Sequence, residues 1–224
     1  MTIVSALAPS RIVLLGAPGA GKGTVAKVIK SELGLAHLST GDMLRSAVKE
    51  GTPVGTQAKT FMDRGALVPD DVMVALIEER VSDADCKGTK GDVQFLLDGF
   101  PRTLPQADAL ADRGLGPHKV IYLNVPKEVV VARLSGRRTC LGCGTPYHIE
   151  HRPPQKAGVC DVCASELVHR SDDHETPIRK RLDAYQQMTA PLVGHYQDVL
   201  ETIDGNQPPE VVANSVLYAI GASS

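Results

Sequence analysis

The chain has 224 residues, 42% of them hydrophobic and 22% charged, with a formal net charge of −2. That length supports one substantial core with room for small inserted pieces, and the near-neutral balance gives no global pull toward nucleic acid or an acidic membrane surface. No apolar run approaches the length of a membrane span, and residues 1–10 lack the basic start of a secretory signal, so they read as a loose tail on a cytoplasmic protein.

Apolar, β-branched runs alternate with helical patterns, which predicts an α/β fold with a parallel sheet covered on both faces. The first strand spans 11–15 and runs into Gly16-Ala17-Pro18-Gly19-Ala20-Gly21-Lys22-Gly23-Thr24. A strand that ends in glycines and then opens a helix is a phosphate cradle. Its glycines admit phosphate oxygens that a Cβ would keep away, and the helix start adds a positive dipole end. Lys22 adds a full charge. The general P-loop pattern is met only in part, because Gly23 follows the lysine and Thr24 supplies the hydroxyl one place later. A short second strand is expected at 35–38, then a small helical insert at 39–68, with Ser39 or Thr40 capping a helix over 42–48. Pro69-Asp70-Asp71 opens an amphipathic helix over 72–81, and Cys86 near its end reads as an inert thiol.

The third strand, 93–98, runs into Leu97-Asp98-Gly99-Phe100-Pro101-Arg102. Ligands gather at the carboxyl ends of parallel strands. An aspartate there suits Mg²⁺ held through water, and Arg102 presents a planar fork suited to a phosphate. The fourth strand covers 119–125. A second interruption, 136–173, reads as loop-rich. Thr176-Pro177 marks a helix start, 199–204 a fifth strand, and Pro208-Pro209 the opening of a last helix over 210–220. Both interruptions read as lids on the sheet rather than separate domains. Arg45, Arg133, Arg137, Arg138, Arg170, Arg179 and Arg181 gather at the edges of these two pieces. A slightly acidic chain that concentrates guanidinium groups there is built to hold more than one phosphate chain.

Cys140-x-x-Cys143 and Cys160-x-x-Cys163 are separated by sixteen residues. Two such knuckles suit one tetrahedral, four-thiolate structural Zn²⁺, which leaves no open position for catalysis. The metal would pin a lid too small to fold firmly on its own. His148 and His151 between the pairs read as solvated loop histidines, with replacement of a cysteine ligand by one of them as the alternative.

These motifs, together with Leu38-Ser39-Thr40-Gly41-Asp42-Met43-Leu44-Arg45, the run 97–107, Gly136-Arg137-Arg138 and Ile178-Arg179-Lys180-Arg181-Leu182, closely resemble the adenylate kinase family in its bacterial long-lid form. The resemblance covers nearly all of 11–224. It implies a P-loop three-layer fold around a central parallel five-stranded sheet. The core would comprise 11–38, 69–135 and 174–224, with an AMP-binding insert at 39–68 and a zinc-binding lid at 136–173. It also implies reversible phosphoryl transfer from MgATP to AMP giving two ADP, in adenine nucleotide homeostasis and nucleotide biosynthesis, by a monomer with no nucleic-acid or membrane partner. Transfer would rest on Lys22, Arg102, Arg137, Arg170 and Arg181. ATP would meet Gly19, Ala20, Gly21, Lys22, Gly23, Thr24, Arg133, Arg137, Pro146, Tyr147 and Gln207. AMP would meet Thr40, Arg45, Ala66, Leu67, Val68, Gly99, Phe100, Pro101, Arg102, Gln106, Arg170 and Arg181. Asp98 would hold Mg²⁺ through water, and Asp172 and Asp173 match an acidic pair at the lid hinge. Two local departures from the family pattern are Pro177, expected to stiffen that hinge, and a long link at 86–92.

The AMP phosphate is anionic already, so the absence of an evident general base among the motifs is consistent with this chemistry. A regulatory GTPase would need an Asn-Lys-x-Asp motif, which the chain lacks, and a zinc-ribbon nucleic-acid binder would need an aromatic-studded basic surface, against 4% aromatics here. A kinase for another nucleoside monophosphate is the closer rival, since base choice depends on a few contacts at Thr40 and Gln106.

Overall fold

The computed structural model describes residues 10–88 and 91–222. Residues 1–9 of the expected tail at 1–10, and Thr89 and Lys90 in the 86–92 link, lie outside the described residues.

In chain order the elements are β1 (Arg11–Gly16), α1 (Lys22–Leu33), β2 (His37–Ser39), α2 (Thr40–Glu50), α3 (Pro53–Met62), α4 (Asp70–Val81), β3 (Phe95–Asp98), α5 (Leu104–Asp112), β4 (Lys119–Asn124) and α6 (Lys127–Gly136). Then follow β5 (Arg137–Cys140), β6 (Pro146–His148), β7 (Leu167–Val168), α7 (Glu175–Ala184), α8 (Leu192–His195), β8 (Leu200–Asp204) and α9 (Pro209–Ala219). Among the described residues the central sheet has five strands in the order β2-β3-β1-β4-β8, all parallel. The chain leaves β1 for one side of the sheet and returns to the other at β4. That reversal opens a crevice at the carboxyl end of β1, where a ligand has room to sit.

Alternation along the strands explains why both sheet faces are covered. Val13, Leu15, Leu38, Phe95, Leu97 and Val120 pack on one side with Met73 and Ile77 of α4 and Ala107 and Leu110 of α5. Ile12, Leu14, Leu96, Ile121 and Leu123 face the other way, against Val25, Ala26 and Ile29 of α1 and Val212 and Val216 of α9. Each large aliphatic side chain buried this fully contributes roughly 1.5–3 kcal/mol, so the sheet is a firm base for the loops above it.

Several expected boundaries shift. The second strand lies at His37–Ser39 rather than 35–38; Leu35 and Ala36 lead into it, buried in the two opposite layers of the core. Ser39 is the cap of α2, its hydroxyl accepting from the Asp42 N–H at 3.4 Å, whereas Thr40 is buried and occupied elsewhere. The helix expected to open at Thr176-Pro177 starts two residues earlier, at Glu175 with His174 as its cap, so Pro177 sits within the first turn, where its missing N–H costs nothing. The stretch 136–173, expected to be loop-rich, folds among the described residues as a three-stranded antiparallel sheet in the order β6-β5-β7. After α7 the backbone widens into a π-helical turn at Tyr185–Thr189, and the Thr189 hydroxyl donates to the Arg102 carbonyl at 2.8 Å.

Candidate active site

The glycine loop lies between β1 and α1, at the mouth of the crevice. Gly19 has φ +85°, and a Cβ there would stand 2.8 Å from Leu134 Cγ of α6, so only glycine lets α6 close over the loop. Gly21 caps α1 without a side chain. The leading N–H groups of the helix are thus left for an anion. Lys22 Nζ donates to the Gly16 carbonyl at 2.8 Å and the Ala17 carbonyl at 3.0 Å, which keeps the ammonium curled over the loop. Arg133 ties α6 to the same place, donating to the Gly205 carbonyl at 3.0 Å and more loosely to the Ala20 carbonyl at 3.5 Å.

The end of β3 supplies the facing wall. An Asp98 carboxylate oxygen lies 3.7 Å from the point that a Cβ on Gly23 would occupy, and 3.7 Å from His37 Nε2. Gly99 has φ +83°, and a Cβ on it would meet the Thr40 hydroxyl at 2.8 Å. That hydroxyl donates to the Gly99 carbonyl at 2.9 Å. Arg102 Nε donates to the same carbonyl at 2.7 Å, and the Arg102 N–H donates to Gln106 Oε1 at 2.7 Å. Phe100 is buried in the core and Pro101 is buried beside it.

Arginines close the ring. Asp173, 1% exposed, accepts a bidentate pair from Arg137 at 2.6 and 2.7 Å, and a third bond from Arg181 at 3.1 Å. Asp172 accepts from Arg170 at 3.1 and 3.2 Å and pairs with Arg181 at 3.0 Å. Arg45 pairs with Asp42. With Val48, Lys59, Met62, Arg170 and Asp172 it lines a cavity of about 250 Å³ between the helical insert and the root of the lid.

Electrostatics show which of these groups share one field. Burial brings Lys22 down to about 8; Asp98 opposes the fall, while the positive charges of Arg102, Arg181 and Arg137 add to it. Burial brings Arg181 down to about 10, and burial together with Arg45 lowers Arg102. Burial works to raise Asp172, but Arg181, Arg170 and Arg137 outweigh it and hold the carboxyl at about 2. Cations whose charged form is disfavoured first by burial and then by one another suit an anionic ligand.

The structure thus brings together Lys22, Asp98, Arg102, Arg137 and Arg181 at one place, with Arg45 and Arg170 at its edge. Ala66, Leu67 and Val68 form the link from α3 to α4, with Val68 buried and Ala66 exposed. Gln207 is exposed after β8, its amide donating to Asp204 at 2.7 Å. Tyr147 is turned into the lid: it packs with Cys140, Cys160 and Leu167, and its hydroxyl accepts from the Asp161 N–H at 2.8 Å. Asp70, read from the sequence only as a helix opener, accepts from Gln106 Nε2 at 2.7 Å and from the Thr103 hydroxyl at 3.0 Å. Its partners lie more than thirty residues downstream, so no local signal could reveal the contact.

In the lid the four clustered cysteines present sulfurs within 4.8 Å of one another. Cys140 and Cys163 are 3.4 Å apart, Cys143 and Cys160 3.6 Å. A tetrahedral ion with ~2.3 Å sulfur bonds holds its ligands ~3.8 Å apart, so the cluster is close to the size such an ion demands. The Cys143 and Val162 N–H groups donate to Cys140 and Cys160 Sγ at 3.4 Å, support that suits thiolates. The donor set fits zinc.

The family model for adenylate kinase matches residues 14–200. An adenylate kinase of Syntrophotalea carbinolica is 51% identical over 94% of this chain and 98% of its own. One of Geobacter sp. (strain M21) is 49% identical over 94% and 99%, and one of Desulforamulus reducens 48% over 93% and 99%. With likeness of this depth running nearly end to end on both sides, the chain belongs to the adenylate kinase family.

Proposed function

We propose that this protein catalyses the reversible transfer of the terminal phosphoryl group of MgATP to AMP, giving two ADP. The observation that carries the reading is the convergence of Arg102, Arg137 and Arg181 on the field at Lys22, beside a glycine loop opening a helix. In the transfer an AMP phosphate oxygen bonds to the γ-phosphorus of ATP as the bond to the β,γ-bridging oxygen breaks. No proton has to leave the acceptor, so no base is required. The problem is one of charge and alignment: two polyanions must meet in line, away from water.

On this reading the backbone of 19–24 and Lys22 hold the ATP phosphates, with Arg133, Arg137, Pro146, Tyr147 and Gln207 along the rest of that nucleotide. Tyr147 would meet it through its backbone, its ring being committed to the lid. Thr40, Arg45, the 66–68 link, residues 99–102 and Gln106 hold AMP, and Arg170 and Arg181 reach toward the phosphoryl group in flight. Mg²⁺, arriving with ATP, would supply charge neutralisation, with Asp98 holding its waters. The 39–68 insert and the 136–173 lid would close over the two substrates, the lid braced by Zn²⁺ on Cys140, Cys143, Cys160 and Cys163. No described helix is long and apolar enough to cross a membrane; a cytoplasmic monomer is the reading that the family relationship supports.

A coupled assay offering AMP, GMP, CMP and UMP in turn with MgATP tests the assignment. AMP should be the preferred acceptor by a wide margin. Preference for another monophosphate would move the protein to a different activity within the same architecture.

A further inference from the structure

We propose that Asp70 is a specificity-determining residue, which locks the sense of the Gln106 side-chain amide and so makes it a reader of adenine. The inference rests on the reading of Gln106 as a contact to the acceptor base. Gln106 is 2% exposed, so both ends of its amide need partners. Nε2 donates to Asp70 Oδ1 at 2.7 Å, and Oε1 accepts the Arg102 N–H at 2.7 Å. Neither partner can exchange its role: an ionised carboxylate only accepts, and a backbone N–H only donates. Turning the amide over would set oxygen against oxygen at Asp70 and N–H against N–H at Arg102.

Asp70 is itself held. Its other oxygen accepts from the Thr103 hydroxyl at 3.0 Å, and that hydroxyl accepts from the Gln106 N–H at 3.3 Å, where Thr103 caps α5. Asp70 at the start of α4 and the Arg102 N–H just before α5 thus grip one side-chain amide from two sides, with the α5 cap Thr103 holding Asp70 in place. Each end of that amide keeps one further bond to give: a lone pair on Oε1 and a hydrogen on Nε2. Adenine offers the complement, a donor at its 6-amino group and an acceptor at N1. Hypoxanthine offers the reverse, an acceptor at O6 and a donor at N1, with almost the same shape. It would suit the amide only if that were turned over, which Asp70 and the Arg102 backbone forbid. A site committed to one hydrogen-bonding sense rejects the other because buried polar groups are left unpaired.

A carboxylate that merely tied the two helix starts together would affect stability and leave base choice alone. The experiment therefore measures kcat/KM for AMP and for inosine monophosphate, at saturating MgATP, in the wild type, Asp70→Ser, Asp70→Asn and Gln106→Leu. Asp70→Ser keeps a residue suited to a helix start but withdraws the acceptor from Gln106. It should lower the AMP-over-inosine-monophosphate ratio roughly tenfold, the worth of one good hydrogen bond, with KM for ATP unchanged. The isosteric Asp70→Asn, whose own amide can face either way, should lower it by roughly threefold, and carries the test if Asp70→Ser does not fold. A wild-type ratio in the folded Asp70 variants overturns the inference. Gln106→Leu separates the two layers. A collapsed ratio there with intact ratios in the Asp70 variants removes only the role of Asp70, whereas an unchanged ratio in Gln106→Leu removes Gln106 from the base and takes this inference with it.

Discussion

Lys22 carries its charge against the preference of the fold. Burial brings its ammonium down to about 8 against an ordinary 10.5, with Asp98 working the other way. The charged form is the one penalised in the folded chain. The penalty is therefore present below pH 8 and relieved as pH rises from about 8 toward 10.5. Removing the charge should not weaken the fold. Lys22→Met is expected to keep or raise Tm at pH 7 while lowering kcat by at least ~10³-fold, through lost stabilisation of the charge in transfer. In the wild type, kcat/KM for ATP should fall about tenfold per pH unit above about pH 8, as the free protein loses the Lys22 proton. Circular dichroism melts and a pH–rate series read both; a flat alkaline profile, or near-normal turnover in Lys22→Met, would refute the role. The place of Lys22 was legible in the sequence because its loop is contiguous and carries four closely spaced glycines between a strand and a helix. Asp70 was not, because its meaning lies in Thr103 and Gln106, on another helix start.

At the scale of elements, the lid is the part that needs outside help. Its apolar cluster among the described residues is Cys140, Tyr147, Cys160 and Leu167, far smaller than either layer against the central sheet. Strands of four, three and two residues cannot hold it together on so little burial. A metal on the four thiols would supply the missing free energy. Cys143→Ser, or chelation of the wild type, is expected to lower Tm by several degrees. Hydrogen-exchange protection should be lost over 137–168 while β1, β3 and β4 keep theirs. Zinc content near zero in carefully purified protein would defeat this account. The same sizes explain what the sequence conveyed. The central strands lie in mostly apolar stretches alternating with helical patterns, and all five were visible in it, the second with shifted bounds. The lid strands are too short and too polar to leave a periodic trace, and the π-helical turn at Tyr185–Thr189 answers to packing rather than to any local pattern.

For the whole molecule, the arrangement is a rigid sheet bearing two small pieces whose cations meet over one crevice. Arg137, Arg170 and Arg181 are held by Asp172 and Asp173 at the root of the lid. Three guanidinium groups on two carboxylates leave positive charge over, and the chain around them is slightly acidic overall. Substrate phosphates would take up that excess, drawing the lid and the insert down over the glycine loop and expelling water from the reacting atoms. This geometry has one purpose that can be read directly. A ³¹P NMR time course of the purified protein with Mg²⁺, ATP and AMP should show ATP and AMP disappearing together while two ADP appear for each AMP consumed, and the same mixture should form from ADP alone. Release of inorganic phosphate without ADP from AMP, or no exchange among the three nucleotides, would contradict the account at its centre.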